Sequence, residues 1–173
     1  MSDIGPGGSH RRREMEVKDF RVACGEFIDV SDLEGEELEK PGTAIVPAEI
    51  PWATGMFTVR GRGGSMEPRI SNGAWCVFHD NVVGTRQNRV VLVEDLSQPG
   101  QTRYTLKKYQ SNKIYSPDGA WIHEQIWLLS LNPDYPPIRL REDGNYRIRG
   151  WFVGSVSAIT RVETARYEQA EWE

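Results

Sequence analysis

From about residue 43 onward, short apolar runs alternate with clusters of turn-forming residues. The runs are rich in valine, isoleucine and aromatic residues, which favour pleated strands over helices. The sequence predicts strands at 56–60, 75–79, 89–94, 102–110, 113–115, 124–130 and 147–160. Separators such as Ser71-Asn72-Gly73 and Ser116-Pro117-Asp118-Gly119 carry residues that tight turns require. We therefore predict an all-β domain over 43–162, with twisted, partly closed sheets.

The two ends of the chain lack this pattern. Residues 1–24 begin with a glycine-rich stretch and become strongly charged, so we interpret them as a flexible arm or linker segment. Residues 25–42 contain an acidic run without an apolar face and are predicted to be a linker, and 163–173 a C-terminal tail. The longest apolar runs are a few residues long, well short of the roughly 20 needed to span a bilayer, so we expect no membrane association.

Charge and cysteine content narrow the class of protein. The net charge of −4 makes the whole surface a poor attractor for nucleic acid, although residues 10–13 form a local basic run. Two cysteines are too few for a disulfide framework, and no cysteine–histidine spacing is typical of a zinc site. These features predict a cytoplasmic protein without metal or cofactor.

The segment Gly61-Arg62-Gly63-Gly64-Ser65 is the most informative for chemistry. Three glycines in four positions allow a tight bend that presents a serine hydroxyl beside free backbone amides, as a nucleophile with an oxyanion hole requires. An ordinary glycine-rich turn would have the same composition. Two further blocks decide between these interpretations.

The first block, 61–73, resembles the G-x-S-M-x-P-x-I-x-x-G-D pattern of LexA-like peptidases and type I signal peptidases, with Ala74 in place of the usual acidic residue. The second, 104–109, resembles the T-V-K-[KR]-L strand that carries the catalytic lysine of this family. The third, 129–138, resembles its L-x-P-x-N-x-x-[YF]-x-P-I stretch. The membrane segments and later boxes of signal peptidases are missing, so the chain is most similar to the LexA/UmuD serine peptidases.

The resemblance implies a serine–lysine dyad. Ser65 matches the nucleophile and Lys107 the general base, while the backbone amides of Gly64 and Ser65 match the oxyanion donors. A lysine, whose pKa is ordinarily about 10.4, accepts a proton at neutral pH only if burial disfavours its charged form. Lys107 is therefore expected to be buried, against Met66, Tyr109 or a residue of the arm. No histidine is required, and we assign His10, His79 and His123 no catalytic role.

Members of this family cleave their own chain at an Ala-Gly or Cys-Gly bond upstream of the serine. Cys24-Gly25 resembles that site, although it could also simply begin the domain. The segment before it is too short for the DNA-binding domain of LexA-type repressors, so we expect no sequence-specific DNA binding. The layout is either UmuD-like or that of a terminal domain from a longer protein.

The resemblance implies a self-cleaving serine endopeptidase acting in a stress or DNA-damage (SOS) response. It also implies a homodimer and an activating nucleoprotein filament, or a DNA-repair, polymerase or helicase partner. We placed part of the dimer contact on strand 151–159, which would otherwise be an unpaired sheet edge. Two alternatives remain open: a dimerisation and docking module that acts through a protein partner, and a peptidase that cleaves another protein in trans.

Overall fold

The computed structural model describes residues 13–19, 22–24 and 40–163, and this part of the chain contains strands but no helix. The first six strands are β1 (Glu14–Val17), β2 (Val22–Ala23), β3 (Gly42–Ile45), β4 (Met56–Arg62), β5 (Trp75–His79) and β6 (Val90–Gln98). The others are β7 (Gln101–Tyr115), β8 (Trp121–Leu129), β9 (Ile138–Arg139), β10 (Tyr146–Val156) and β11 (Arg161–Val162). The predicted all-β class is confirmed. Within the same ranges, no helix is long and apolar enough to cross a membrane.

All eleven strands belong to one mixed sheet, in the order β11-β3-β1-β4-β5-β10-β6-β7-β8-β9. Strand β2 lies off this path and pairs in parallel with both β4 and β7. Three strands separate β4 from β7 in the sheet order, so the sheet must curl for β2 to reach both. Two register shifts in β10, at 148–150 and 152–154, are the kind of irregularity that bends a strand.

The seven predicted strands correspond to six observed strands, five of which have shifted ends. Strand β5 has the predicted bounds, whereas 102–110 and 113–115 are parts of a single strand, β7. Ser111 and Asn112 interrupt the apolar pattern, but both pair with β8 and so extend the hairpin. Strands β3, β9 and β11 were not predicted, because each is four residues or shorter.

Part of the predicted arm lies in the sheet. Residues 14–17 pair with β3 and β4, and residues 22–23 pair with β4 and β7. Met15 and Val17 are buried, because strand alternation points them into the core while Glu16 faces outward. The interpretation of 1–24 as an arm is therefore corrected for these two stretches.

The surface that we predict for dimerisation lies partly within the sheet. Strand β10 pairs with β6 over 146–151 and with β5 over 151–156, so only Trp151 pairs on both sides in this register. Its Trp151 side chain is buried within this molecule. Residues 152–156 pair with β5 alone, so the dimer contact at 151–159 and the homodimer itself both stay predictions.

The largest of three clusters of buried side chains lies under the candidate site. It contains Val22 and Cys24 from the amino-terminal segment, Met66 and Ile70 from the turn after β4, and Leu106 from β7. Apolar packing of this kind is the main stabilising contribution to the fold. It also fixes three segments that are remote in sequence against one another.

Candidate active site

The loop that carries Ser65 begins where β4 ends. Gly63 has φ of 107°, a conformation that side chains other than glycine's rarely adopt. The amide of Gly63 donates to Asn72 Oδ1 at 2.9 Å. Across the turn, Gly61 N donates to Ala74 O and Gly73 N to Gly61 O, both at 2.9 Å. These bonds hold the loop as one unit between β4 and β5.

Two apolar side chains anchor the same loop in the core. Met66 and Ile70 are both fully buried, and Ile70 N donates to Met66 O at 2.9 Å. Because Met66 directly follows Ser65, burial of its side chain fixes the orientation of the serine. The M-x-x-x-I spacing of the first sequence block thus has a structural role.

Lys107 lies on β7 with its side chain turned to the interior. The Lys107 side chain is only 1% exposed, whereas the next residue, Lys108, is half-buried on the opposite face. Lys107 Nζ is in hydrogen-bond contact with Ser65 Oγ across 42 positions of sequence. Its cross-strand partner is Val91, a fully buried residue of β6. Burial of this kind favours the neutral amine over the ammonium form.

The candidate cleavage segment occupies the space beside Ser65. Strand β2 pairs Val22 with Gly61 and Ala23 with Arg62 of β4, and Ala23 also pairs with Thr105 of β7. Cys24 N then donates to Arg62 O, so the backbone pairing continues as far as Cys24, where the chain bends. Ser65 is 0% exposed. The chain's own segment therefore closes the site.

The Cys24 carbonyl is hydrogen-bonded to the loop that carries Ser65. Ser65 N donates to Cys24 O at 2.9 Å. A Cβ atom on Gly63 would lie 2.6 Å from Cys24 O and 3.1 Å from Cys24 C, so only glycine lets the loop pass this close to the carbonyl. The carbonyl oxygen thus already faces a backbone amide, as it must if negative charge is to develop on it.

The Cys24 side chain lies in a small, buried pocket. A Cβ on Gly61 would be 2.9 Å from Cys24 Sγ and 3.5 Å from Cys76 Sγ, which places both sulfur atoms beside this glycine. Burial raises the pKa of the Cys24 thiol to about 11, although nearby Lys107 lowers it. Burial likewise raises the pKa of Cys76. Both thiols are therefore neutral at physiological pH, and the pocket suits a small, uncharged side chain.

Asn132 is a residue of the site to which sequence analysis gave no role. It follows β8, within the third sequence block. Its Nδ2 donates to Gly64 O at 3.0 Å and its backbone N donates to Ser65 O at 2.8 Å. The signal was its place in that block, but nothing in the sequence indicated which groups it contacts.

The predicted site residues are only partly brought together. Ser65, Lys107 and Cys24 are adjacent, whereas Gly25 lies outside the described residues. The Gly64 amide stays a predicted oxyanion donor, and the structure shows the carbonyl of Gly64 bonded to Asn132 and to Glu67 N. His79, at the end of β5, accepts a hydrogen bond from Asn81 N through Nδ1.

The site has a geometry suited to acyl transfer. The Ser65 hydroxyl lies beside the buried Lys107 amine, and the Cys24 carbonyl accepts a hydrogen bond from the Ser65 backbone amide. The family model described as Peptidase S24-like matches residues 17–153, well over half of the chain. The chain belongs to the Peptidase S24-like family. This family is the one that the three sequence blocks predicted, and the chain has its serine peptidase fold. Comparison with curated proteins returned no match.

Proposed function

We propose that this S24-like peptidase cleaves its own chain between Cys24 and Gly25, with Ser65 as nucleophile and Lys107 as general base. The observation that carries the proposal is the 2.9 Å hydrogen bond from Ser65 N to Cys24 O. A carbonyl held on the amide of the nucleophile itself is placed as a substrate carbonyl. The Lys107 contact to Ser65 Oγ supplies a base at the same atom.

The reaction begins with neutral Lys107. Its Nζ accepts the Ser65 hydroxyl proton while Oγ forms a bond to the Cys24 carbonyl carbon. The carbonyl electrons move onto oxygen, where the Ser65 N–H stabilises the negative charge. Lys107, now an ammonium, gives its proton to the Gly25 nitrogen as the C–N bond breaks. Lys107 then takes a proton from water as the water oxygen bonds to the ester carbonyl carbon. The C–Oγ bond breaks, Lys107 returns the proton to Ser65 Oγ, and Cys24 is left with a free carboxyl group that ionises in water.

Burial of both partners favours reaction within one chain. The segment and the nucleophile are held together by the fold, so no diffusional encounter is needed, and effective molarities of well-oriented groups are very high. In the intact chain, Ser65 is fully buried, so a protein substrate could reach it only after 22–24 had left the cleft. This arrangement favours self-cleavage over cleavage in trans.

The proposed base makes the reaction dependent on pH. Only the neutral amine accepts the serine proton, so the step that depends on Lys107 is expected to become faster as the pH rises through the pKa of Lys107. In the cell, we propose that a nucleoprotein or other protein partner promotes cleavage at neutral pH, in a response to DNA damage or another stress.

The experiment is incubation of the purified chain at pH 9 to 10 with intact-mass spectrometry. Wild type is expected to yield two pieces, and Ser65→Ala and Lys107→Met none. Lys108→Met is the matched control, because it removes the adjacent lysine on the opposite face and is expected to cleave as wild type does. An intact wild-type chain that is folded by circular dichroism contradicts the proposal.

A further inference from the structure

One peptide group in the site is hydrogen-bonded at both ends. The unit joining Gly64 to Ser65 donates through Ser65 N to Cys24 O at 2.9 Å. The carbonyl of the same unit, Gly64 O, accepts from Asn132 Nδ2 at 3.0 Å and from Glu67 N at 3.1 Å. A side-chain amide is thus connected to the candidate scissile carbonyl through a single peptide plane.

Because the Gly64–Ser65 peptide is planar, a hydrogen bond to its oxygen affects its N–H group. The C=O and N–H of a trans peptide point in opposite directions, so holding the oxygen also fixes where the N–H points. A glycine at one end of the unit leaves its backbone otherwise free to rotate. Donation to the carbonyl also polarises the peptide and strengthens the N–H as a donor. Asn132 therefore contributes, beside the backbone N–H of Glu67, to both the orientation and the donor strength of the Ser65 N–H.

Asn132 is itself held in a fixed orientation. Its Oδ1 accepts from Asp134 N at 3.0 Å, which leaves Nδ2 to face Gly64 O. Its backbone N donates to Ser65 O at 2.8 Å, so the loop after β8 is bonded to both carbonyls that flank the Ser65 amide. These contacts require little rearrangement during the reaction.

We propose that Asn132 is a positioning residue for self-cleavage: its side-chain amide holds and polarises the Gly64–Ser65 peptide, so that the Ser65 N–H stabilises the charge that develops on Cys24 O. The inference rests on the proposed function and deepens it. Asn132 touches no reacting atom and acts through the peptide alone. Removing it weakens stabilisation of the transition state while the segment stays docked.

The test compares Asn132→Ala with wild type at pH 9.5, well below the melting temperature of either protein. The expected result is cleavage about 10- to 100-fold slower, below the range measured when an oxyanion donor is lost outright. Asp134→Ala is the control on the same loop, since only its backbone contacts Asn132. That variant is expected to cleave within about twofold of wild type, the usual range for an exposed side chain.

A second measurement separates positioning from general support of the fold. In a Ser65→Ala background, which cannot react, alkylation of Cys24 followed by peptide mapping reports whether the segment leaves the cleft. Asn132→Ala is expected to leave Cys24 as protected as before. Slower cleavage with an equal loss of Cys24 protection would overturn the inference, because Asn132 would then only support docking.

An Asn132→Ala protein that cleaves at the wild-type rate overturns the inference and leaves the proposed function standing. A folded wild-type chain that does not cleave overturns both. If the alanine variant does not fold, Asn132→Asp replaces it: this variant keeps an acceptor for Asp134 N and puts a charged carboxylate oxygen where the donor to Gly64 O was. Its cleavage is expected to be slowed at least as much as predicted for alanine, and cleavage at the wild-type rate would overturn the inference.

Discussion

The pocket around the Cys24 side chain predicts how a single methyl group should affect cleavage. Gly61 lies in β4 beside two sulfur atoms, and an added Cβ would be 2.9 Å from Cys24 Sγ, 3.5 Å from Cys76 Sγ and 3.8 Å from Ala74 O. Only the first of these distances forces a displacement. The Gly61→Ala substitution should therefore act on the cleavage segment more than on the sheet.

The size of the effect follows from the cost of overpacking. Extra methyl groups in a well-packed interior typically cost about 1–3 kcal/mol. If that cost falls on docking of the segment, the docking equilibrium constant falls by about 5- to 150-fold, and the cleavage rate falls by up to that factor. The backbone adds no penalty, because Gly61 is not among the residues with positive φ.

A second substitution makes the prediction specific. Cys24→Ala removes the sulfur that the new methyl group would meet and keeps a small residue at the cleavage site. The double variant Gly61→Ala/Cys24→Ala should therefore cleave close to the rate of Cys24→Ala alone. Rates of all four proteins at pH 9.5, with melting temperatures as a check on folding, form a double-mutant cycle.

Two outcomes would refute this reasoning. If Gly61→Ala cleaved itself at the wild-type rate, Cys24 would not occupy this pocket when the chain reacts. A double variant as slow as Gly61→Ala would mean that the methyl group damages the loop itself rather than the docking of Cys24.

Two further predictions follow from burial in the site, and a third concerns the expected homodimer. The docked Cys24 thiol has a pKa of about 11, against an ordinary value of 9.0, so the undocked thiol loses its proton at lower pH than the docked one. Docking of the segment is therefore weakened between these two pH values, by up to about 3 kcal/mol. In a pH–rate profile, cleavage of wild type should level off or fall above about pH 9, while cleavage of Cys24→Ala continues to rise. Lys107→Met should fold with an unchanged or higher melting temperature, because it replaces a buried amine with an apolar chain; a much lower value would show that Lys107 is needed for stability. Light scattering should give the mass of a dimer, and a monomer at high micromolar concentration would remove that prediction.

The sequence predicted elements well where the signal was local. Strand β5 was predicted with its observed bounds, because 75–78 is a continuous apolar run that His79 follows, with turn residues on either side. Strands β1 and β2 were not predicted. Strand β1 has only four residues, in which glutamate alternates with apolar residues, and β2 has only two residues, so neither carries a strong local signal. These strands form because they pair with β3, β4 and β7, and the edges of those strands are brought into place only when the sheet folds.

The candidate site divides in the same way. The pairing of Ser65 with Lys107 was predicted from motif resemblance, together with burial of the lysine on the inner face of its strand. Docking of Cys24 beside Gly61 and the bond from Asn132 to Gly64 O depend on where separate loops meet in space. No spacing rule in one sequence determines those contacts.

The central claim is that one chain cuts its own backbone after Cys24. Intact-mass spectrometry of wild type during incubation at pH 9.5, at protein concentrations spanning a hundredfold range, tests it directly. The account predicts a fragment that ends at Cys24, formed with a first-order rate constant that is the same at every concentration. A rate constant that rises in proportion to concentration, a cut at another bond, or a folded chain that stays whole would contradict it.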